Sequence, residues 1–261
     1  MGRVAFIGAG PGAADLITLR GARLLAQADV VLFDALTDPV LRELAPRALW
    51  IDVGKRGFCD STAQTRIDAL LVKHARRVAL VVRLKGGDPS IFGRLEEELE
   101  ALAAAGIDCE VVPGVTAAIA AAAATRRPLT RRGTGRSVAL ATAMTREGTL
   151  YARPAQQRAD TEVYYMAGRQ LGALARRLLA AGWPAEAPAM IVSRAGWPDQ
   201  LQSDHRLADL ARGALLHAGR PAVVTIGAGA LPLAAACANA DAGTSEAAPI
   251  PGPLTCIDPR P

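Results

Sequence analysis

Short apolar runs and stretches of helical period alternate along the first half of the chain. The runs fall at 3–7 (RVAFI), 29–33 (DVVLF), 49–53 (LWIDV), 78–82 (VALVV) and 108–112 (DCEVV). Short, Val-rich runs of this kind predict buried strands. Between them, Ile67, Leu70, Leu71 and His74 share one helical face over 61–75. Leu95, Leu99 and Leu102 do the same over 95–105, and Gly106 follows as a stop. Strand–helix–strand alternation predicts a largely parallel sheet covered on both faces.

A second series follows Pro113–Gly114. An Ala-rich helix is expected at 115–124, then strands at 136–141, 161–166, 188–192 and 221–226. A helix at 170–181 is closed by Gly182 and Pro184. Charge-rich loops at 126–136 and 145–160 interrupt the series. The fold class expected is therefore α/β in two halves. An N-terminal α/β domain spans 1–113 and a C-terminal α/β domain 114–230, with a hinge near Pro113–Gly114. Residues 231–261 lack periodicity and are rich in Ala and Pro, which predicts a flexible tail.

Composition narrows the picture. Hydrophobic residues make up 51% and charged residues 21%, a globular balance, while aromatics are only 4%, so Ala, Leu and Val must build the core. The net charge of +5 suits an anionic ligand. No charged run or aromatic–basic interleaving points to nucleic acid. Cys59, Cys109, Cys237 and Cys256 are far apart, and His74, His205 and His217 are scattered, so no metal site is expected. The N-terminus has no signal-peptide shape and no apolar stretch reaches about 18 residues, so the expectation is a cytoplasmic protein without a membrane partner.

Two glycine loops carry candidate chemistry. Residues 8–13 read GAGPGA directly after a strand, and Asp34 ends the next one. That nearly fits a dinucleotide fingerprint and its ribose-binding acid, which would make the chain an NAD-dependent oxidoreductase. Pro11, which lacks an N–H for a phosphate cradle, and Asp15 count against it. A tight turn without a ligand is the plain alternative. The second loop reads RLKGGDPSIFGR over 83–94. Its paired glycines let backbone approach a ligand closely, and Pro89 fixes the turn.

Four further segments accompany that loop: GAGPG (8–12) with DLITLRGARLLAQADVV (15–31), VGKR (53–56), VVPGVTAAIAAAA (111–123) with RPLT (127–130), and TEVYYM (161–166). In this order and spacing they resemble the uroporphyrinogen-III C-methyltransferases of the tetrapyrrole methylase family, over about residues 3–228. The resemblance implies two α/β domains with the active site in the cleft between them, and a homodimer. It implies S-adenosylmethionine as cofactor, leaving S-adenosylhomocysteine, and a tetrapyrrole substrate. Two successive methylations of uroporphyrinogen III would give precorrin-2, for sirohaem or cobalamin synthesis. Cofactor-binding positions would fall at Pro11, Gly86, Gly87, Asp88, Ile91, Thr116, Ala117, Met166 and Ala195. Asp34 would be the proton acceptor and Lys55 the proton donor.

Each residue also has a plainer reading. Asp34 could end a strand, Lys55 could be solvated, and Met166 could be core. Lys55, Arg56, Arg83, Lys85 and Arg94 lie in or beside motif loops, where they could meet substrate carboxylates. Arg126, Arg127, Arg131, Arg132 and Arg136 are either a solvated face or a substrate surface. Trp183 and Trp197 are expected to pack rather than to cage a cofactor. The chain departs from the family pattern at Leu95–Glu97, Arg131, Thr142–Met144 and Ser193–Trp197. Another precorrin methyltransferase of the same fold, or a non-catalytic relative, therefore stays open.

Overall fold

The computed structural model describes residues 2–54, 61–143 and 158–233. The first half forms a sheet of five parallel strands: β1 (Arg3–Gly8), β2 (Val30–Phe33), β3 (Leu49–Asp52), β4 (Leu80–Lys85) and β5 (Cys109–Val112), in the order β3-β2-β4-β1-β5. Side chains alternate across a strand, and β1 uses both faces. Val4 and Phe6 join Leu32, Ile67, Leu71 and Leu102 in one core. Ala5 and Ile7 join Leu25, Val31, Leu41 and Val82 in the other. Helices α2 (Ser61–Ala75) and α3 (Leu95–Ala104) cover the first face, and α1 (Leu19–Leu25) packs on the second.

The second half follows α4 (Ala117–Ala124). Its sheet holds β6 (Val138–Thr142), β7 (Thr161–Tyr165), β8 (Pro188–Ser193), β9 (Leu201–Arg206) and β10 (Ala222–Gly227), in the order β6-β7-β10-β8-β9. Only β6 and β7 pair in parallel; the remaining pairs are antiparallel. Helix α5 (Leu171–Ala180) buries Leu171, Leu174 and Leu178 against Tyr164, Ile191 and Val224. On the other face, Ala118, Ala120 and Ala121 of α4 meet Val163, Met190 and Val223. Small alanines let this helix sit close to the sheet.

The expected glycine stops have one geometry. After α3, Gly106 N–H donates to Ala103 O and Ile107 N–H to Leu102 O, both at 3.0 Å. After α5, Gly182 N–H donates to Leu179 O and Trp183 N–H to Leu178 O, again at 3.0 Å. Each is a Schellman closure, with glycine at positive φ, 65° and 90°.

Strand β9 was not expected. It is an edge strand whose inward positions include Ser203 and His205 instead of apolar residues, so it shows no hydrophobic alternation. Its polar atoms are satisfied locally. Ser203 Oγ lies 2.7 Å from His205 Nε2 and 2.9 Å from His217 Nε2, and His217 Nδ1 lies 2.8 Å from Ser193 Oγ. His217 is fully buried. Burial lowers its pKa below 6.5, and His205 and Arg220 push the same way. Burial likewise lowers that of His205.

Both histidines therefore resist a proton that the unfolded chain accepts near 6.5. Their contribution to stability is intact above that pH and is lost as pH falls toward the depressed folded values. Urea unfolding should show the midpoint dropping between about pH 7 and about pH 5, less steeply in His217→Gln. Equal slopes in the two proteins would remove His217 from the account.

Candidate active site

The two glycine loops meet at the C-terminal edge of the first sheet. Gly10 N–H donates to Gly87 O at 3.3 Å, and Gly87 N–H to Gly10 O at 2.7 Å. Both need positive φ, 80° and 71°. A Cβ on Gly8 would lie 2.5 Å from Gly114 Cα, so the end of β1 packs against the inter-sheet segment backbone to backbone. Asp88 pins this junction. Its Oδ1 accepts from Ser90 N–H at 2.8 Å and its Oδ2 from Gly114 N–H at 2.9 Å.

The opposing wall comes from the second half. Thr116 caps α4, and its Oγ1 lies 2.7 Å from Tyr165 Oη at the end of β7. Ala118 N–H donates to the same oxygen at 3.3 Å. Burial raises the Tyr165 pKa, which keeps the phenol neutral. The Phe92 ring approaches that of Tyr165 to 5.0 Å between centroids.

Between these walls lies a cavity of about 250 Å³. Pro11, Gly86, Gly87, Ile91, Thr116, Ala117, Met166 and Ala195 line it. Asp88 does not, because both its oxygens serve the protein's own backbone. The Gly87 N–H is likewise spent on Gly10, so this loop offers a ligand close approach more than free donors. Leu36, Phe92, Tyr165, Val192, Arg194, Trp197 and Val223 also line it and were not anticipated. Tyr165 stands next to Met166 in sequence, which was the available hint. Trp183 packs as expected, 8% exposed in the core, whereas Trp197 faces the cavity.

Three lining residues other than glycine hold left-handed backbone: Phe92 at φ 52°, Met166 at 58° and Arg194 at 52°. Such conformations cost about 1–3 kcal/mol each and gather where a site imposes them.

A family profile for Tetrapyrrole (Corrin/Porphyrin) Methylases matches residues 3–211. The chain belongs to the tetrapyrrole methylase family. It is 44% identical over 228 residues to a uroporphyrinogen-III C-methyltransferase of Pseudomonas aeruginosa, covering 87% of this chain and 93% of the relative. Its structure is similar to that of a uroporphyrin-III C-methyl transferase from Thermus thermophilus complexed with S-adenyl homocysteine. The TM-score is 0.76 at 38% identity, over 87% of this chain and 97% of that one. A cobalt precorrin-4 methyltransferase gives a TM-score of 0.77 at 29% identity, over 88% and 96%.

Within this methylase fold the dinucleotide reading fails for a topological reason. A ribose-binding acid must end the strand adjacent to the glycine loop's strand. Here β4 lies between β1 and β2, so Asp34 is not beside the GAGPGA loop. That loop also runs into a short 3-10 turn at Ala14–Leu16, and α1 starts only at Leu19. The loop therefore does not lead straight into a helix N-terminus, as the fingerprint requires.

Asp34 instead meets Arg83. Arg83 Nη2 donates to Asp34 Oδ1 at 2.6 Å, and Arg83 Nε to Glu98 Oε1 at 3.0 Å. Lys85 Nζ donates to Glu98 Oε2 at 2.7 Å. Glu98 is fully buried, and Arg83 and Lys85 are each 2% exposed. Burial opposes the charge on Arg83, but Asp34 and Glu98 outweigh it and raise its pKa. Burial, reinforced by Arg83, lowers that of Lys85. The expectation that these two cations meet substrate carboxylates is corrected: both are strand residues committed to Glu98. Arg94 pairs with Glu97 at 2.5 Å. Arg127 is buried against Asp204 and the Ala230 carbonyl. Lys55 and Arg56 lie outside the described residues.

Glu98→Gln would leave two buried cations facing a neutral amide. Urea denaturation should show a loss of about 3–5 kcal/mol, the cost of orphaning a buried charge. A loss below about 1 kcal/mol would mean that the network is not holding the strand.

Proposed function

We propose that this chain transfers methyl groups from S-adenosylmethionine to uroporphyrinogen III, two in succession, to give precorrin-2. The observation that carries the reading is the cavity where the two glycine loops of the first sheet face α4 and β7 of the second. Its walls suit a nucleoside carrying a sulfonium and an amino acid. Ile91, Met166, Val192 and Val223 are apolar, Thr116 and Tyr165 are polar, and Gly86 and Gly87 bring backbone close.

When bound there, the cofactor supplies an electrophilic methyl group. The protein's part is to position it in line with a pyrrole carbon, which supplies much of the rate. Gly86, Gly87, Thr116 and Ala117 would hold the cofactor, with Pro11, Ile91, Met166 and Ala195 around it. Asp88 acts indirectly, by fixing the GGDP loop to Gly114. Methylation at carbon requires a proton to depart, and Asp34 would receive it or steady the developing positive charge. Arg83 then orients the Asp34 carboxylate through one oxygen, leaving Oδ2 for the substrate side. Lys55 would donate a proton. The exposed Arg126, Arg132 and Arg136 would meet substrate carboxylates.

A division at Pro113–Gly114, a homodimer and a cytoplasmic location belong to the same reading. No helix among the described residues is long and apolar enough to cross a membrane.

Anaerobic incubation with uroporphyrinogen III and methyl-labelled S-adenosylmethionine should yield a product carrying two added methyl groups by mass. Asp34→Asn should lower turnover by about 100- to 10,000-fold, as loss of a proton acceptor does, with cofactor affinity little changed. Cofactor binding without methyl transfer would refute uroporphyrinogen III as substrate. Light scattering should report a dimer.

A further inference from the structure

Trp197 stands where the sequence leaves the family pattern, and it spans the cavity between the two halves. Its indole Nε1 donates to Pro11 O, in the first glycine loop, at 3.1 Å. A Cβ built on Gly12 would fall 1.7 Å from that nitrogen, so the bare backbone at Gly12 is what admits the ring. Pro11 Cγ also closes to 3.2 Å from where a Gly196 side chain would begin. The loop after β8 thus seats directly on the loop after β1.

The indole is braced from behind. The Arg194 guanidinium lies 4.1 Å from its ring centroid. Arg194 is itself held by Asp199, Nε to Oδ1 at 2.7 Å. Arg220 binds the same Asp199 carboxylate at 3.1 Å and donates to its carbonyl. Arg220 also donates to Ser193 Oγ at 3.1 Å, and Ser193 contacts the buried His217. The brace is therefore rooted in the second sheet, while the indole reaches across to the first.

The cavity behind the indole, about 250 Å³, is smaller than the roughly 300–1,000 Å³ typical of sites that enclose a ligand of this size. Seating the cofactor there therefore asks one wall to yield. Gly10 and Gly87 are fixed by their mutual backbone hydrogen bonds and the start of α4 by the bond from Ala118 N–H to Tyr165 Oη, while Leu36, Phe92 and Met166 present exposed side chains. Trp197 is held on the first half only by one hydrogen bond and ring contact. It sits on a loop with two successive left-handed points, Arg194 at φ 52° and Gly196 at 83°.

We propose that Trp197 is a clasp that closes over the bound cofactor and sets how long it stays. This rests on the reading that the cavity takes S-adenosylmethionine. With the clasp open the cofactor enters; closed, the indole bridges to Pro11 and covers the exit. The bond to Pro11 must break before the ligand leaves and also before it enters, so Trp197 slows both steps.

Retention of radiolabelled S-adenosylhomocysteine, followed by rapid filtration, tests this on the full chain. Trp197→Phe keeps the ring over Arg194 but loses the bond to Pro11; release should quicken about fivefold. Trp197→Ala should quicken it by at least about tenfold, with association quickened as well. Trp197 is only half-buried, and circular dichroism should show both variants folded. Should Trp197→Ala fail to fold, the Phe variant decides alone. Equal release rates across the proteins overturn the proposal, and so does a change confined to association. If wild-type protein binds no S-adenosylhomocysteine by calorimetry, the cofactor reading itself falls.

Discussion

The active edge of this protein depends on one buried carboxylate. Glu98 arrives from α3, through the covered face of the first sheet, and meets two cations on the central strand β4. A strand placed between two others would ordinarily carry only apolar residues there. Arg83 and Lys85 are tolerated because Glu98 neutralises them, and Gln64 of α2 reaches the same carboxylate at 3.4 Å. The charges are thus tied to two helices and a strand at once. The strand ends at Lys85 and the paired glycines follow at once, so the network fixes the stretch of backbone that the proposed reaction uses. It also carries its influence outward, since Arg83 is the only link from Glu98 to Asp34 described here.

Above that anchor, the absence of side chains does the shaping. Gly8 and Gly114 bring two segments to separations that no Cβ would allow, and Gly10 and Gly87 supply the positive φ at which the loops meet. The loops bond to one another and leave few donors free. The first sheet therefore offers this cleft shape and apolar contact. Polar contact is supplied by Thr116 and Tyr165 on the second.

Most of this was legible in the residues. Strands with apolar side chains on both faces announce themselves, and so do helices that end in glycine. Strand β9 did not, because its inward positions are Ser203 and His205, whose partners come from distant segments. The antiparallel character of the second sheet was equally hidden, since alternation of elements does not report strand direction. At the site, Pro11, Gly86, Gly87, Ile91, Thr116, Ala117, Met166 and Ala195 line one cavity while Asp88 stands outside it, and their roles toward a cofactor belong to the proposal. Arg83 and Lys85 misled, because a loop reading placed them outside a strand that runs through Lys85. Trp197 misled in the opposite sense: a tryptophan in an unfamiliar loop looks like packing until the facing Gly12 is seen.

The outer edge of β9 bears on solubility. An unpaired strand edge invites another chain to continue the sheet. Here the outward positions are Gln202, Asp204 and Arg206. Arg127 clamps Asp204, and Arg206 reaches Glu186 and Asp209. Any strand docking on this edge would have to displace those ion pairs. The ion-paired charges of β9, on the face opposite Ser203 and His205, thus guard its border against fibrous self-association.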